Sequence, residues 1–585
     1  MDSSVFHARG PEVSRLRQFL NFLGCILILP VYYILTAYTR HPLTLDVLVT
    51  IFAAEYNRYT NECRRRKLYG QDKALQDAEK AIPRLSPAGP GPDCMAAVVG
   101  YREDPALFAR ALESYNSAEG CRFVLVGIDG DEEADMEMVR VFQKVYSNNT
   151  SSVIRLDEPF GELAVRTFDK ISTADLHSQP TDKYMQESIA HCCNLAREIL
   201  TDHKITFDRG AGGITRLCLY QPHLHKKGIM FTSFIFSIVI SDLLGIEYLW
   251  SSDSDTIVFP RSLRSTVETV AGDPSVGGGS AGLIVHNEHD SAISKLGSVV
   301  YWCELYLTRS TATAAGTSDC QSGPSSAFRV AALPAVLYPW YTQCVLGHRM
   351  IINEDRHLTT NLLLQNWTIT YVSDTLASTD TPTTLSKWLL QQVRWSRAGH
   401  IESFQNPHIY TLTSPLFFWA AIKRELGPLL GLAYILYYYV TGTSMAYFSW
   451  TDLAFRVVYT IVYNVGRNPD RAGGGKRGIA WWGWVLPAMV FYNVPLPAVH
   501  AWSLGTVFEG GWGTAMRGVS EKEGRMWKRI RELGFFVLWM GVVGGVMGRI
   551  AAGFLGASPE TTVRALGWGT TVFSGAAFYG LVVRE

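Results

Sequence analysis

The stretch IEYLWSSDSDT, from Ile246 to Thr256, is the key to the fold of this chain. Its apolar first half, Ile246 to Ser251, has the length and composition of a short buried strand. The strand leads directly into Asp253-Ser254-Asp255, a D-x-D sequence. Carboxylates two residues apart in extended chain project to one side, where they can bind a hard divalent cation that also contacts phosphate oxygens. The stretch therefore predicts a strand that ends in a metal site, although a D-x-D sequence alone is common and weak evidence.

Two earlier apolar runs predict strands of the same domain. Met95 to Tyr101 and Arg122 to Ile128 are separated by a helical stretch that begins at Pro105, and another helix is predicted from Glu132. This alternation is typical of a βαβ unit. Ligands bind beyond the carboxyl ends of such strands. The residues found there are Arg102, Glu103, Asp104, Asp129, Gly130 and Asp131, and a role for these acids as helix caps is equally compatible with the local sequence.

The overall composition indicates a membrane protein. Of the 585 residues 18% are charged and 47% hydrophobic, with 16 Trp and 27 each of Tyr and Phe. Globular proteins carry about 25% charged residues, so the deficit points to surface that faces lipid. Equal numbers of basic and acidic residues, 53 of each, give no reason to expect a nucleic-acid partner. Ten Cys without a C-x-x-C pair favour a reducing compartment.

Apolar segments near the N-terminus are candidate membrane crossings. Phe19 to Tyr38 carries no charge and is long enough to span the hydrocarbon core, which needs about 20 residues. Leu43 to Ala54 is shorter and contains Asp46, so a second crossing and an interfacial helix are equally compatible with it. The middle of the chain, from Asn57 to about Tyr410, has the composition of a soluble α/β domain.

Four further crossings are predicted after the soluble domain. They are Leu426 to Phe448, Ile479 to Leu504, Leu533 to Leu555 and Ala565 to Val583. Pro487, Pro495 and Pro497 interrupt the second of these, which predicts a kinked or re-entrant segment. The spacing of Gly544 and Gly548 suits close helix packing in lipid. Thr451 to Val465 is a fifth candidate, although Asp452 and Arg456 favour an interfacial helix.

Basic clusters predict the orientation in the membrane. One cluster, Arg64 to Lys67, precedes the soluble domain, and a second, from Arg517 to Arg531, precedes a later crossing. Basic residues accumulate on the cytoplasmic side of membrane proteins. The sequence thus predicts a multi-pass protein of the cell membrane whose soluble domain is cytoplasmic.

Three more motifs follow the D-x-D sequence in a fixed order. They are CQSGP at 320 to 324, NEDRHLT at 353 to 359 and QQVRW at 391 to 395. If Leu385 to Ala398 is helical, Gln391, Arg394 and Trp395 share a face. An amide, a cation and an indole on one face can hold phosphate and stack on a sugar ring. Taken alone, such a Trp is more often part of the core and such an Arg more often a surface ion pair.

The ordered motifs make the chain resemble processive membrane glycosyltransferases of family 2, and within them hyaluronan synthases and their fungal relatives. The resemblance rests on DSD at 253 to 255, CQSGP leading to Phe328-Arg329, NEDRHLT, QQVRW, and the WGT segment, Trp512-Gly513-Thr514 with Arg517. A second WGT string at 568 to 570 has no Arg three places on and lies in an apolar run, so it is interpreted as a decoy. Hyaluronan synthases typically have Gly-Asp-Asp where this chain has Asn353-Glu354-Asp355, and chitin and cellulose synthases also place Glu before the Asp, so the product stays open.

The resemblance implies the fold, the boundaries and the reaction. The fold is an α/β GT-A-like cytoplasmic domain, a mixed sheet flanked by helices, plus an α-helical transmembrane domain. The boundaries are an N-terminal transmembrane region at 1–60, a linker at 61–90, the glycosyltransferase domain at 91–400, an interfacial helix at 401–425, and a channel region at 426–585 with the WGT gating loop at 505–518. The reaction is inverting transfer from a UDP-sugar donor to a growing polysaccharide, which the C-terminal helices export. The sugars and the oligomeric state are left open.

The resemblance also implies roles for individual residues. Asp355 is the catalytic base, and Asp255, helped by Asp253, holds Mg²⁺ or Mn²⁺. The uridine lies near Tyr101, Glu103 and Asp129, and the diphosphate near Lys226 or Lys227. The acceptor and phosphate platform consists of Gln391, Gln392, Arg394 and Trp395, and the gate that closes over the nucleotide consists of Trp512, Gly513, Thr514 and Arg517.

Two other classes of protein compete with this interpretation. A family 2 enzyme that makes a single transfer to a lipid is disfavoured by the several C-terminal crossings and by the QQVRW and WGT motifs. A polytopic transporter with a nucleotide-sensing domain is disfavoured because we find no internal repeat.

Overall fold

The structure is a computed structural model that describes residues 8–39, 41–79, 92–147, 149–174, 181–207, 213–445, 449–468, 479–509 and 526–584. Its strands are β1 (Cys94–Gly100), β2 (Cys121–Asp129), β3 (Ser151–Arg155), β4 (Arg216–Gln221), β5 (Tyr248–Asp253), β6 (Ile257–Val258), β7 (Val276–Val285), β8 (Ser326–Arg329), β9 (Cys344–Val345), β10 (His348–Arg349) and β11 (Thr368–Thr379).

The helices of the first half are α1 (Arg15–Tyr38), α2 (Pro42–Glu79), α3 (Pro105–Ser114), α4 (Met136–Val145), α5 (Phe160–Ala174), α6 (Thr181–Asp202), α7 (Lys226–Leu244), α8 (Ser262–Ala271), α9 (Ala292–Val300) and α10 (Tyr306–Ala314). Those of the second half are α11 (Pro334–Tyr341), α12 (Glu354–Leu364), α13 (Leu385–Gln405), α14 (His408–Leu412), α15 (Pro415–Thr441), α16 (Trp450–Arg467), α17 (Val485–Asn493), α18 (Leu496–Gly505), α19 (Met526–Phe554) and α20 (Pro559–Phe578).

A mixed sheet forms the centre of the soluble domain. Nine strands of the described chain pair in the order β3-β4-β2-β1-β5-β8-β7-β11-β6. β1 runs parallel to β2 and β5, whereas β8 is antiparallel to both β5 and β7. All strands except β8 and β6 therefore point the same way, and their carboxyl ends meet at one edge. The predicted α/β mixed sheet flanked by helices is confirmed.

The long apolar helix α7 packs behind the sheet. It is apolar enough to resemble a membrane span, but 83% of its apolar window is buried inside the protein. Its residues belong to the same core cluster as Met95, Leu125 and Leu217 of the central strands. Helix α7 thus serves as a core helix of the soluble domain.

Three other helices of the described chain are long and apolar enough to cross a membrane. Their apolar segments are Arg15–Leu35, Met526–Phe554 and Pro559–Arg584, and their surfaces are far less buried than that of α7. They coincide with three of the predicted crossings. The prediction that Ile479 to Leu504 is interrupted is also confirmed, because the chain there forms a short 3-10 helix followed by α17 and α18, with Pro495 at the junction.

The glycines of α19 bring α20 into close contact. A Cβ at Gly544 would lie 2.3 Å from the carbonyl oxygen of Gly569, and one at Gly548 would lie 2.2 Å from that of Ala565. Any larger residue would force the helices apart. The close packing predicted from the Gly544 and Gly548 spacing is therefore present.

Two predicted boundaries differ from the structure. Residues 61–79 of the predicted linker continue helix α2, which docks on the catalytic domain through Arg64 with Asp273 and Arg65 with Asp374. Residues 401–425 are not one interfacial helix but are divided among α13, α14 and α15. Pro407 and Pro415 stand at the starts of the second and third helices, where a missing N–H costs nothing. The helix predicted from Glu132 begins only at Met136.

Asp452 explains why a charge stands in the apolar segment of α16. It is 2% exposed, and its carboxylate accepts hydrogen bonds from the backbone N–H groups of Leu43 (2.9 Å) and Thr44 (2.8 Å). It thereby caps the N-terminus of α2, where helical N–H groups have no partner of their own. Asp452 thus connects α16 to the start of α2.

Candidate active site

The predicted site residues converge where strands end. Tyr101 and Glu103 follow β1, Asp129 ends β2, and Asp253 ends β5. The chain order reverses beside β1, which has the later strand β5 on one side and β2 on the other. A crevice forms at such a switch point and is the usual ligand site of an α/β sheet. The residues of this crevice line a cavity of about 2910 Å³.

Lys226 and Asp355 meet at the centre of the crevice. Lys226 Nζ lies 2.8 Å from Asp253 Oδ1 and 3.2 Å from Glu354 Oε1. The Gly323 N–H donates to Asp355 Oδ2 at 3.0 Å. A Cβ at Gly323 would come within 3.2 Å of Asp355, Lys226 and Asp253 alike. Glycine in the CQSGP motif therefore keeps open the space between the predicted base and the predicted phosphate ligands.

The surroundings of Asp355 suit a proton acceptor. Burial and the neighbouring Glu354 carboxylate raise the pKa of Asp355 to about 7, against the opposing effect of the Lys226 ammonium. A general base works best when its pKa is close to the operating pH. Burial alone would lower the pKa of Lys226, but Asp253, Glu354 and Asp355 outweigh it and raise that pKa. The lysine is thus held in its charged form beside the base.

Carboxylates around Asp255 fit a divalent cation. Burial, then Asp380, Asp253 and Glu103, raise the pKa of Asp255 well above its ordinary value, and its side chain hydrogen-bonds to that of Asp380. After burial, the charges of these neighbours contribute to the rise, because acids from the ends of β1, β5 and β11 are crowded around Asp255. A hard cation with oxygen ligands would relieve the repulsion among these acids. The residues present therefore fit the predicted Mg²⁺ or Mn²⁺.

An aromatic platform lies at the predicted uridine end. Tyr101 stacks on His223, with ring centroids 4.2 Å apart, and the Arg102 guanidinium lies 5.0 Å above the Tyr101 ring. Asp129 is 1% exposed, accepts the Leu224 N–H at 3.1 Å and lies 2.9 Å from His223 Nδ1. That contact with Asp129 raises the pKa of His223. Asp129 thus positions the chain after β4 as well as bordering the crevice.

The sequence left two roles open for the acids after β1 and β2, ligand binding and helix capping. The structure shows examples of both positions. Asp104 caps α3 by accepting the N–H groups of Ala106 and Leu107. Glu103, in contrast, accepts the Ser254 hydroxyl at 3.2 Å, inside the D-x-D sequence. Only Glu103 and Asp129 therefore remain candidates for ligand binding by position.

Lys227 does not belong to the crevice. Its side chain is fully buried, Nζ donates to the Met350 carbonyl at 3.1 Å, and it lies over the Trp340 ring. Burial lowers the pKa of Lys227 to about 7. Of the two lysines that the sequence offered for the diphosphate, the structure places only Lys226 in the site.

The QQVRW motif lies on helix α13, as predicted, and borders the cavity. Gln391, Gln392, Arg394 and Trp395 all line it. Gln392 is 7% exposed, and the half-buried Trp395 meets Tyr301 edge to face, with centroids 6.4 Å apart. Trp395 therefore borders the cavity with its ring in contact with Tyr301.

Of the two WGT strings, only the second lies among the residues that the structure describes. Trp512, Gly513, Thr514 and Arg517 lie outside the described residues. The second string lies within α20, where Trp568 is 71% exposed and Thr570 contacts Tyr439. The interpretation of Trp568 as part of an apolar helix agrees with that position.

Three residues of the site were missed by sequence reasoning. Asp380 directly follows β11, so the rule that found Asp129 would have found it had that strand been identified. Glu354 stood in a quoted motif, but nothing in the sequence indicated its contact with Lys226. His223 carries no local signal, because a single His after a strand is common.

The cavity extends from the crevice to helices that lie outside the sheet. Beyond Asp355 and Trp395 it is lined by residues of α2, α15, α16, α17 and α18, among them Asp46, Pro428, Arg456, Asn493 and Pro497. A single continuous space thus connects the strand ends to the apolar helices.

Comparisons with known proteins identify chains that are similar to this one. The profile of glycosyl transferase family group 2 matches residues 252–495. Hyaluronan synthase 2 of Homo sapiens is 27% identical over 428 residues, which cover 72% of this chain and 69% of its own. Hyaluronan synthase 3 of Homo sapiens is 25% identical over 427 residues, with the same coverage.

One solved structure is similar over much of its length. The mannosyltransferase PcManGT from Pyrobaculum calidifontis, in complex with GDP-Man and Mn²⁺, covers 78% of this chain and 98% of its own, at 12% identity and a TM-score of 0.34. At that score the likeness carries no argument for this chain.

Proposed function

We propose that this chain is a glycosyltransferase of family group 2 that polymerises sugar from UDP-sugar donors and exports the polymer through its own membrane helices, as a hyaluronan-synthase-like enzyme. The observation that carries the proposal is the continuous cavity that leads from Asp355 and Trp395 to residues of α15, α16 and α18. A single-transfer enzyme with a lipid acceptor needs no such passage for a sugar chain. A transporter without enzymatic activity receives no support from the family match at 252–495.

In the proposed mechanism Asp355 removes a proton from the acceptor hydroxyl. The freed oxygen attacks C1 of the donor sugar, the bond from C1 to the phosphate oxygen breaks, and UDP leaves with its electron pair. Lys226 binds the diphosphate, and Trp395 stacks on the acceptor sugar. Asp253, Asp255 and Asp380 would hold a divalent cation, which would stabilise the negative charge on the leaving group. Tyr101 and His223 form the platform for the uracil ring.

The proposed topology places the catalytic domain in the cytoplasm, where UDP-sugars are made. The basic stretch that ends at Arg531 supports it by the positive-inside rule. Arg64 and Arg65 carry less weight than the sequence suggested, because both pair with acids of the catalytic domain. Export along the cavity then delivers the polymer to the outer surface.

A second candidate is a chitin-like polymer made from one donor. Glu354 favours it, because the carboxylate that distinguishes this chain from the Gly-Asp-Asp pattern is buried in the site and contacts Lys226. The two candidates share the mechanism and differ in the number of donors.

Donor use tests the proposed function. Purified enzyme in nanodiscs is incubated with radiolabelled UDP-GlcNAc, UDP-GlcA and UDP-glucose, singly and in pairs, and UDP release and polymer length are measured. We expect long polymer from at least one combination, and a requirement for two donors would select the hyaluronan-like product. Products that carry a single sugar on lipid, or UDP release no faster than from the Asp355→Asn variant, would contradict the proposal.

The gate is tested by comparing the two WGT tryptophans. Trp512→Ala is expected to reduce UDP release and polymer by about tenfold or more, because a missing lid leaves the nucleotide exposed to water. Trp568→Ala removes the same side chain from the exposed face of α20 and should leave both rates within about twofold, since surface positions tolerate substitution. Equal losses at matched membrane expression would argue against a gating role for Trp512.

A further inference from the structure

Three buried side chains from three helices meet beside the cavity. His400 of α13, Glu425 of α15 and His500 of α18 are 1%, 6% and 4% exposed. One nitrogen of each histidine and one carboxylate oxygen lie within 4.8 Å of one another. The two imidazole rings stand nearly perpendicular, with centroids 4.6 Å apart. No residue of this cluster belongs to the D-x-D sequence or to the predicted catalytic set.

Each member points one polar atom inwards, and its other polar atom has a partner outside the cluster. His400 Nδ1 is hydrogen-bonded to Glu425 Oε2 within the cluster, while His400 Nε2 lies 2.8 Å from the Ser503 hydroxyl. Glu425 Oε1 accepts from Ser403 Oγ and from Arg424 Nε, both at 3.0 Å. This leaves Glu425 Oε2 as the inward carboxylate oxygen.

His500 follows the same pattern and lacks an inward partner. Its Nδ1 lies 3.5 Å from the Ser396 hydroxyl. Its Nε2 is buried, has no hydrogen-bond partner among the described residues, and lies 3.7 Å from Glu425 Oε2. A buried polar atom left unpaired costs about 1–3 kcal/mol. A cation among the three inward atoms would give His500 Nε2 a partner and would replace the hydrogen bond between His400 Nδ1 and Glu425 Oε2.

We propose that His400 Nδ1, Glu425 Oε2 and His500 Nε2 bind one divalent transition-metal ion of the Zn²⁺ class. Two imidazoles and a carboxylate are a common donor set for zinc. Metal-bound histidines characteristically hold their second nitrogen in a hydrogen bond, as the hydroxyls of Ser503 and Ser396 provide here. Imidazole nitrogen suits Zn²⁺, whereas the all-oxygen cluster around Asp255 suits Mg²⁺ or Mn²⁺.

The position of the cluster defines what the metal does. Glu425 and His500 line the cavity, so water can occupy a fourth coordination position from that side. His400 follows Trp395 on the same helix by little more than one turn. A metal at this point links α13, which carries the QQVRW motif, to α15 and α18. It therefore fixes the acceptor platform to the membrane helices, whichever polymer the enzyme makes.

Zinc content of the full chain tests the site. The protein is purified in detergent through a tag without histidine, exposed to micromolar Zn²⁺ in millimolar Mg²⁺ that occupies oxygen sites, and separated from free metal by gel filtration. We expect about one zinc ion per chain in the wild type, and at most a tenth of that in His400→Gln and His500→Gln, since each removes a nitrogen ligand. His357→Gln is the matched control and should retain the ion: His357 forms a buried pair with Glu402, but among the described residues this pair belongs to no group of three metal-ligating side chains.

A second measurement keeps the test independent of variant folding. Co²⁺ loaded into the wild-type protein should produce the visible absorption of a low-coordinate nitrogen and oxygen site, and Zn²⁺ should displace it. Wild-type protein that retains no zinc and shows no such band would overturn the proposal. Zinc retained equally by the wild type and by both cluster variants, with unchanged gel-filtration profiles, would overturn it too.

Discussion

Asp355→Asn is expected to lower polymer synthesis by a factor of about 10² to 10⁴, the usual contribution of a general base. The amide cannot accept the proton of the acceptor hydroxyl. Its oxygen can still accept the Gly323 N–H that Asp355 Oδ2 accepts at 3.0 Å, so the shape of the site is preserved. UDP affinity, measured by isothermal titration calorimetry, should therefore change by less than about threefold, because no proposed nucleotide contact is removed.

The control for this variant is Asp290→Asn. Asp290 lines the same cavity but is exposed, so its replacement removes an equal charge without touching the reacting atoms. We expect it to retain at least about half of the wild-type rate, as is usual for surface substitutions. Wild-type turnover by Asp355→Asn would contradict the assignment of the base.

Short sequence patterns predicted which residues lie at the edge of the sheet, because the end of a buried strand is marked by the residues next to it in the chain. A buried strand needs a run of apolar residues, and polar residues cluster where such a strand reaches the surface. This is why Asp253, Asp129 and Glu103 were found from sequence. Asp380 obeys the same rule but follows a strand whose register with β7 shifts between Val372 and Leu376, and whose sequence alternates poorly.

The sequence could not show which of Lys226 and Lys227 lies near the diphosphate, for a different reason. An amphipathic helix reveals which side faces solvent, but in α7 every residue from Lys227 to Ser241 is buried. No polar face exists from which to extrapolate. The tertiary contacts decide instead: His225 caps the helix, Lys226 turns towards Asp253, and the next residue, about 100° around the axis, meets Trp340.

The His400, Glu425 and His500 cluster shows the limit of sequence reasoning most clearly. Its members are 25 and 75 residues apart, on helices that become neighbours only when the soluble and apolar parts of the chain pack together. No motif spacing can express such a site. Length and apolarity alone are also insufficient for α7, which is long and apolar enough to span a membrane although the surrounding protein buries it.

Chelation of divalent cations is expected to abolish polymer synthesis. In the Asp255→Ala variant, polymer synthesis is expected to stay lost when the cations are restored. Without a cation, the clustered carboxyl groups of Asp253, Asp255 and Asp380 give the departing diphosphate no electrostatic stabilisation; burial first, and then the charges of Asp380 and Asp253, raise the pKa of Asp255. Removing cation stabilisation of the departing charge should cost a factor of about 10³ or more in rate. Polymer synthesis is measured in EDTA and again after Mg²⁺ or Mn²⁺ is restored.

The wild type should recover when Mg²⁺ or Mn²⁺ returns together with a trace of Zn²⁺ for the second site, and Asp255→Ala should not, because it lacks the carboxylate oxygens that hold the Mg²⁺ or Mn²⁺ ion. Asp131→Ala is the matched control: Asp131 follows the neighbouring strand β2 but pairs with Arg155 at 3.0 Å, away from the D-x-D sequence. Because the proposed zinc ligands lie on other elements, Asp255→Ala should keep its zinc while losing its activity, which separates the two metal sites. Full activity in EDTA would refute the requirement for a cation, and recovery of Asp255→Ala with Mg²⁺ would refute the role of Asp255.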